Sequence, residues 1–434
     1  NNLSSNPLFQ DASSGDYSLA LGSPAIDAGN PAAMYVDEDG TQNDMGYTGG
    51  NRVRLGADEL DFGYVILGET ASESFSINNF SSSATTLSGY TLPDGSPFSL
   101  SASFPLSLPP LSDTTLFVSF NPSAAGAFLH TLTLSSGTIS GWSGTVALSG
   151  GAADVSGTLA NVPDDVPTIQ GAIDIMDDGD TILVSPGTYV EKLILEGKSL
   201  VIGSLYLTTG DTSYVSSTIV DGNDEWRVLR IKYSDHTVIS GLTIRNGRIA
   251  SSSGEGDDGG GIYINCDSVR LEHLVIEDNY AEGAGGGVSS NTDYFVMEHC
   301  RVKNNMVDGD YSPAGGIYSR SSNSYFNECI VEGNTGTRCG GADISDATIV
   351  NSIFRNNVMT ETSWAYGGAI ITRSTMINCL VTGNTNGGLT SSTTNYLYNV
   401  TIANNTVSGL VVGGSTETIL VNSIVYANET NIEL

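Results

Sequence analysis

Basic residues are scarce in this chain. It holds 16 Lys and Arg against 48 Asp and Glu, a formal net charge of −32. Not one Lys or Arg stands between Leu55 and Glu191. Such a surface repels phosphate backbones, so no nucleic-acid partner is expected. No apolar run approaches the roughly 20 residues that cross a bilayer, so no membrane span is expected. Cysteine is sparse too: five residues, with no C-x-x-C and no Cys/His zinc spacing. The thiols read either as buried and free or as including one bridge. The sequence opens at Asn1 without a signal-peptide pattern, so an export signal is expected to have been removed or to lie outside it. Acidity, 52 glycines and abundant Ser, Thr and Asn favour a secreted or surface-displayed, well-solvated protein.

What is present is repetition. Seven segments follow the pattern apolar-x-x-small-x-apolar-x-x-Asn and end at Asn279, Asn305, Asn334, Asn357, Asn384, Asn405 and Asn428, 21 to 29 residues apart. That period marks a solenoid, in which each repeat buries its apolar face against its neighbours. A leucine-rich repeat fits the segments themselves, as at Leu271, Leu274, Ile276 and Asn279. The other half of each repeat, however, opens with paired glycines and a short extended run: GGGIYI at 259–264, GGIYSR at 315–320, GGAIIT at 367–372. No helical stripe follows. Strands joined by tight corners, a parallel β-helix rung, is the favoured reading, with the leucine-rich repeat as the alternative.

The positions within a repeat carry finer expectations. Three residues before each Asn the side chain is apolar (Ile276, Val302, Val331, Phe354, Val381, Ile402, Val425). Five before, it is small or apolar (Leu274, Cys300, Cys329, Ser352, Cys379, Val400, Ser423). Both sets should stack inward, Cys300, Cys329 and Cys379 as fillers. An inward-to-inward step around position six requires a corner there. Asn351, Asn378, Asn399 and Asn422 occupy it, and Asn tolerates a left-handed backbone. His273 and His299 share that corner position, where outward stacking is expected in preference to a metal site.

At this point the chain resembles a known family. VPTIQGAIDIMDDGDTILVSPGTYVEKLILEGKSLVI (166–202), GLTIRNG (241–247) and the GG…N rungs resemble right-handed parallel β-helix proteins of the pectate lyase-like superfamily. The rungs also resemble repeats of bacterial polymorphic outer-membrane proteins. Ile169, Ala172, Ile173 and Met176 fall on one helical face behind Asp165 and Pro167 as start signals, a helix expected to plug the solenoid's first end. Residues 58–151 alternate apolar and polar as a β-sandwich does, with Phe117 and Phe120 bracketing one strand. They resemble the immunoglobulin-like module called choice-of-anchor D, which implies a non-enzymatic spacer. NPLFQDASSGDYSLALGSPAIDAGNP (6–31) resembles a β-helix closing segment. The fold expected is therefore all-β: an arm or closing segment at 1–54, a sandwich at 55–152, and a right-handed parallel β-helix at 153–434. Standing ahead of the sandwich, the closing segment reads as part of a longer tandem chain, or simply as an irregular arm. In the tandem case copies are expected to associate head to tail.

The resemblance places an active groove over the GG-started strand. Its outward column is Tyr263, Ser289, Tyr318, Asp343, Ile370 and Thr390, with Arg320 beside it. A lyase needs a base and calcium-holding carboxylates; a hydrolase needs paired carboxylates. Arg320 and Asp343 are the pair an enzyme would use, and no further carboxylate joins them. R-x-x-P-x-x-R, Asp-Pro-His-Glu and Gly-His-Gly, which mark enzymes of this superfamily, are absent. A non-catalytic, adhesin-like module is the main expectation, a polysaccharide lyase or hydrolase the runner-up, and a filament or surface-layer subunit a third. A glycan would stack on Tyr263, Tyr318, Trp364 and Tyr366, with Arg320 and Asp343 as polar partners; these rings read equally as ordinary half-exposed aromatics. No cofactor is required. Calcium is the ion that Asp37, Asp39, Thr41 and Asp44, or Glu255, Asp257 and Asp258, would take, and a solvated acidic turn is the alternative for each.

Overall fold

Repeated Asn-terminated segments pair with one another in parallel, each on the one before it. In a computed structural model, all residues are described except 1–4, 13–15, 22, 27, 29–44, 46–52, 81–82, 140–141, 156, 251–255, 310–312, 362–366, 414–416 and 434. The chain divides into two units, Asn1–Val155 and Ser156–Leu434.

In the first unit, a five-stranded sheet (order Glu59–Ile66, Ser143–Ala153, Gly126–Ser136, Thr85–Thr91, Leu106–Leu108) joins a four-stranded sheet built on Ala71–Asn79 and Ser112–Phe120. Period-2 alternation fixes which face is buried. Leu116, Val118 and Phe120 are buried, whereas Phe117 is 52% exposed. Phe98 and Phe120 stack at 4.7 Å in the core. A hairpin, Phe9–Asp11 with Asp16–Leu19, precedes the sandwich.

The second unit is a parallel β-helix, and not a leucine-rich repeat. Each rung runs through sheet one (the GG strand, as Ile262–Asn265), sheet two (as Ser268–Glu272) and sheet three (as Val275–Glu277), and the three sheets hold 10, 11 and 10 strands. A fourth sheet of two-residue strands, such as Tyr280–Ala281, was not foreseen. The register stacks Ile276, Val302, Val331, Phe354, Val381 and Ile402 in one buried column. Leu274, Cys300, Cys329, Ser352, Cys379 and Val400 are buried likewise. All five cysteines are free and buried. Burial lifts the thiols of Cys329 to about 12 and Cys379 to about 11.

Corners carry the polar side chains. His273, His299, Glu328, Asn351, Asn378, Asn399 and Asn422 all have φ between 49° and 55°, the left-handed turn from sheet two to sheet three. Asn378 donates to Asn351 at 3.3 Å and Asn399 to Asn378 at 3.1 Å, an exposed ladder. A second, buried ladder runs through the repeat-ending asparagines. From Asn279 to Asn405 each donates both its backbone N–H and its Nδ2 to the Oδ1 of the next, as Asn305 does to Asn334 at 2.9 and 3.0 Å. Nδ2 also donates to a carbonyl of the previous rung, such as Ile276. In this way a buried amide finds partners on both sides.

The first helix, Ile169–Ile175, buries Ile169, Ala172, Ile173 and Met176 at the first end of the solenoid. Its N-cap is Thr168, whose hydroxyl accepts from Gly171 N at 3.0 Å. Asp165 does not cap; its carboxylate accepts from the backbone and side chain of Asn161.

Candidate functional site

Sheet one aligns Arg230, Tyr263, Ser289, Tyr318, Asp343, Ile370 and Thr390 in one outward column, the register expected from the sequence. The column is not an open groove. Ser289, Asp343, Ile370 and Thr390 are each less than 5% exposed. Ala314 and Cys339, from the segments that lead into the strands, pack over Ile370 with Tyr318 against them. Outward direction on a strand therefore does not mean exposure at Ile370, because Ala314 and Cys339 pack over it.

Arg320 and Asp343 are brought together, as a closed unit. Nη1 and Nη2 donate to the two carboxylate oxygens at 2.9 Å each, and Nη1 donates to Ser345 Oγ at 2.7 Å. Nε donates to Tyr318 Oη at 3.1 Å, with the guanidinium 4.7 Å from that ring's centre. Burial alone would ease deprotonation of Arg320, but the Asp343 charge outweighs it and raises the pKa. Tyr263 is likewise covered by cations, with Arg227 at 5.0 Å and Lys232 at 5.7 Å from its ring centre.

Of the calcium candidates, Asp37, Asp39, Thr41, Asp44 and Glu255 lie outside the described residues, as do the aromatics Trp364 and Tyr366. Asp258 accepts from Ala284 N at 2.6 Å, and burial, with the adjacent Asp257 charge, holds its carboxyl above the usual range. Among the described residues no three His, Cys, Asp or Glu side chains gather as a metal site.

Sheet two presents a different surface, which parity along its strands would have indicated. Tyr325, Thr348, Thr375 and Tyr396 stand in register on consecutive strands, all at least partly exposed. Asp346 and Arg373 sit at the corner leading into this sheet, both with left-handed backbones. Arg373 donates through Nε and Nη2 to the two Asp346 oxygens at 2.6 and 2.5 Å. That bonding holds Asp346 below and Arg373 above their ordinary values. Tyr325, Asp346, Thr348, Arg373 and Thr375 line a polar cleft of about 770 Å³, and Tyr396 stands in the same row one strand beyond it.

Sheet three carries a further pattern not foreseen. Asp221, Arg245, Glu277, Lys303, Glu332 and Arg355 form one column of alternating sign. Arg245–Asp221 (2.8 Å), Lys303–Glu277 (2.5 Å) and Arg355–Glu332 (2.6 Å) pair within it.

Comparison with known proteins agrees with this architecture. Residues 227–407 match the family described as "Right handed beta helix region", and 56–140 match ASH, "Abnormal spindle-like microcephaly-assoc'd, ASPM-SPD-2-Hydin". The second unit is thus a right-handed parallel β-helix, preceded by an immunoglobulin-like ASH β domain; choice-of-anchor D remains a resemblance only. No curated protein matches the chain in sequence. Among solved structures, the A-module of the mannuronan C-5 epimerase AlgE6 of Azotobacter vinelandii is 12% identical over 59% of this chain and 87% of its own, with a TM-score of 0.33. The pectin methylesterase PemA of Erwinia chrysanthemi is 12% identical over 60% of this chain and 81% of its own, at 0.26. The PapD-like domain 7 of human CEP192 is 11% identical over 24% of this chain and 87% of its own, at 0.19. Among the described residues, no helix is long and apolar enough to cross a membrane.

Proposed function

We propose that this chain is a non-catalytic module of a secreted or cell-surface protein that contacts carbohydrate through its β-helix. The observation that carries the reading is the closed Arg320–Asp343 pair. A general base must be able to give up its proton near the working pH. Asp343 favours the protonated guanidinium, and both carboxylate oxygens are engaged by it. Asp343 is also only 1% exposed, too deep to hold a metal against a substrate acid group. The acidic, lysine-poor composition supports an extracellular setting. Head-to-tail association of copies belongs to the same proposal. Incubation with pectate, alginate and neutral glycans, with and without calcium, should release no unsaturated or reducing ends. Turnover that disappears in Arg320→Ala or Asp343→Ala would replace this reading with a polysaccharide lyase.

A further inference from the structure

The tyrosines of the two candidate faces differ in what already covers them. On sheet one, Tyr263 and Tyr318 each carry a guanidinium over the ring. A sugar stacking on that face would have to displace it. On sheet two, Tyr396 and Tyr398 are 38% and 36% exposed, with parallel rings (2°) whose centres lie 6.3 Å apart. Among the described residues no cation lies over Tyr325, Tyr396 or Tyr398.

Spacing adds to exposure. Neighbouring strands lie about 4.8 Å apart, so Tyr325 and Tyr396, three rungs from each other, are separated by roughly 14 Å along the stack. A pyranose unit in an extended glycan advances by about the height of one rung. Two aromatic platforms would then hold the ends of a short stretch of sugar, with the hydroxyls of Thr348 and Thr375 between them. The Asp346–Arg373 pair borders this row, two residues before Thr348 and Thr375 at the corners that lead into their strands. A carboxylate and a guanidinium held side by side offer acceptors and donors suited to neighbouring sugar hydroxyls. The cleft that runs from Tyr325 to Thr375, about 770 Å³, is in the range of small-ligand sites, and Tyr396 continues the row on the next strand.

Charge selects among glycans. The Asp346–Arg373 pair is neutral as a unit, and the chain as a whole carries −32. Polyuronates and other anionic chains are repelled at long range.

We infer that the outer face of sheet two binds a neutral polysaccharide running along the β-helix axis, stacked on Tyr325 and Tyr396 and hydrogen-bonded by Asp346 and Arg373. This site rests on the glycan-contacting reading above but is not the groove of sheet one. The test is calorimetric titration of the full chain with neutral hexasaccharides of glucose, mannose, xylose and galactose, and with hexagalacturonate as the anionic probe. At least one neutral hexasaccharide should bind, better than hexagalacturonate. Tyr325→Ala and Tyr396→Ala should each weaken it roughly tenfold, about 1.4 kcal/mol, whereas Tyr318→Ala should not. Both tyrosines lie at the surface, and an unchanged thermal midpoint separates lost contact from lost fold. Binding that survives the double variant Tyr325→Ala/Tyr396→Ala but fails in Tyr263→Ala or Tyr318→Ala overturns the sheet-two site and leaves the general reading standing. Preference for hexagalacturonate overturns the assignment to neutral glycans. Absence of binding to every probe removes both the site and the glycan-contacting reading.

Discussion

A Cβ placed on Gly341 would lie 2.8 Å from Nδ2 of Asn357, closer than real side chains allow. Gly341 opens sheet one of its rung, and Asn357 follows sheet three of the same rung. The two sequence marks of the repeat, paired glycine and closing asparagine, are therefore two halves of one contact that shuts the triangle. The same relation recurs between Gly316 and Asn334 and between Gly388 and Asn405. Gly341→Ala should destabilise by about 1–3 kcal/mol through overpacking. Asn357→Ala should cost more, because the backbone N–H and Nδ2 of Asn334 above both lose their acceptor, about 1–3 kcal/mol for each group left unpaired, while Asn384 below loses the Nδ2 donor and keeps the backbone N–H. Chemical denaturation of both variants measures this order.

Phe354 is the largest side chain in the central apolar column and is 2% exposed. Phe354→Ala should cost about 3–5 kcal/mol as a cavity confined to one rung. A neutral result in urea unfolding would contradict the observed packing.

Cys300, Cys329 and Cys379 are buried, and burial raises all three thiols above the ordinary value. The thiolate is the reactive form, so both access and ionisation are suppressed. Native protein should leave these three unmodified by a maleimide over the time that unfolded protein reacts completely. Peptide mass mapping assigns each thiol.

Much of the fold was legible because a solenoid writes its core periodically. One inward column, read across rungs, located Ile276 through Ile402 without any knowledge of neighbouring strands. The left-handed corner followed from the parity break at Asn351 and its equivalents. Two ladders were missed although their signals stood in the sequence. The closing Asn served only as a marker of period, when a buried amide demands partners. The charged column lies two residues before it, where Glu277, Lys303, Glu332 and Arg355 alternate in sign. The cover over sheet one was not legible. Ala314 and Cys339 come from segments of unequal length with no shared period, and only the folded chain shows that they pack on Ile370. For the same reason the sequence points to sheet one as the glycan face, and the pairing of Asp346 with Arg373 shows only in the folded chain.

Glu332 receives Arg301 on one oxygen and Arg355 on the other, at 2.7 Å from Arg355 Nε. Burial opposes its ionisation, but the two guanidinium bonds prevail and lower its pKa below 4.5. A carboxylate depressed in the folded state adds stability above its unfolded value and loses it as pH falls through the folded one. Glu332→Gln should therefore destabilise at pH 7, on the order of 1 kcal/mol after screening of the half-exposed arginines. The difference from wild type should begin to shrink as pH falls below about 4.5, the unfolded value, and should be gone once pH has passed the lower folded value. A difference independent of pH would mean that packing, not charge, sets the contribution.

His273 stands at the corner position that later rungs fill with asparagine. Its ring stacks on His299 with centres 4.5 Å apart and 7° between planes, and its Nε2 meets Tyr206 Oη at 3.0 Å. His299 in turn lies 3.3 Å from Glu328. Burial lowers the pKa of His273 first and the facing His299 second, while Glu272, Glu298 and Glu328 pull the other way without prevailing. The folded state thus takes up a proton less readily than the unfolded chain. Stability from this site is present above the ordinary imidazole value of 6.5 and drains away as pH falls through it towards the lower folded value. His273→Asn keeps a side chain suited to the left-handed backbone, φ 49° here, and removes the titrating group. Thermal midpoints measured from pH 7.5 down to 5 should decline less steeply in His273→Asn than in wild type. Equal slopes would place the folded pKa of His273 at its unfolded value and break the link between the stacked ring pair and acid sensitivity.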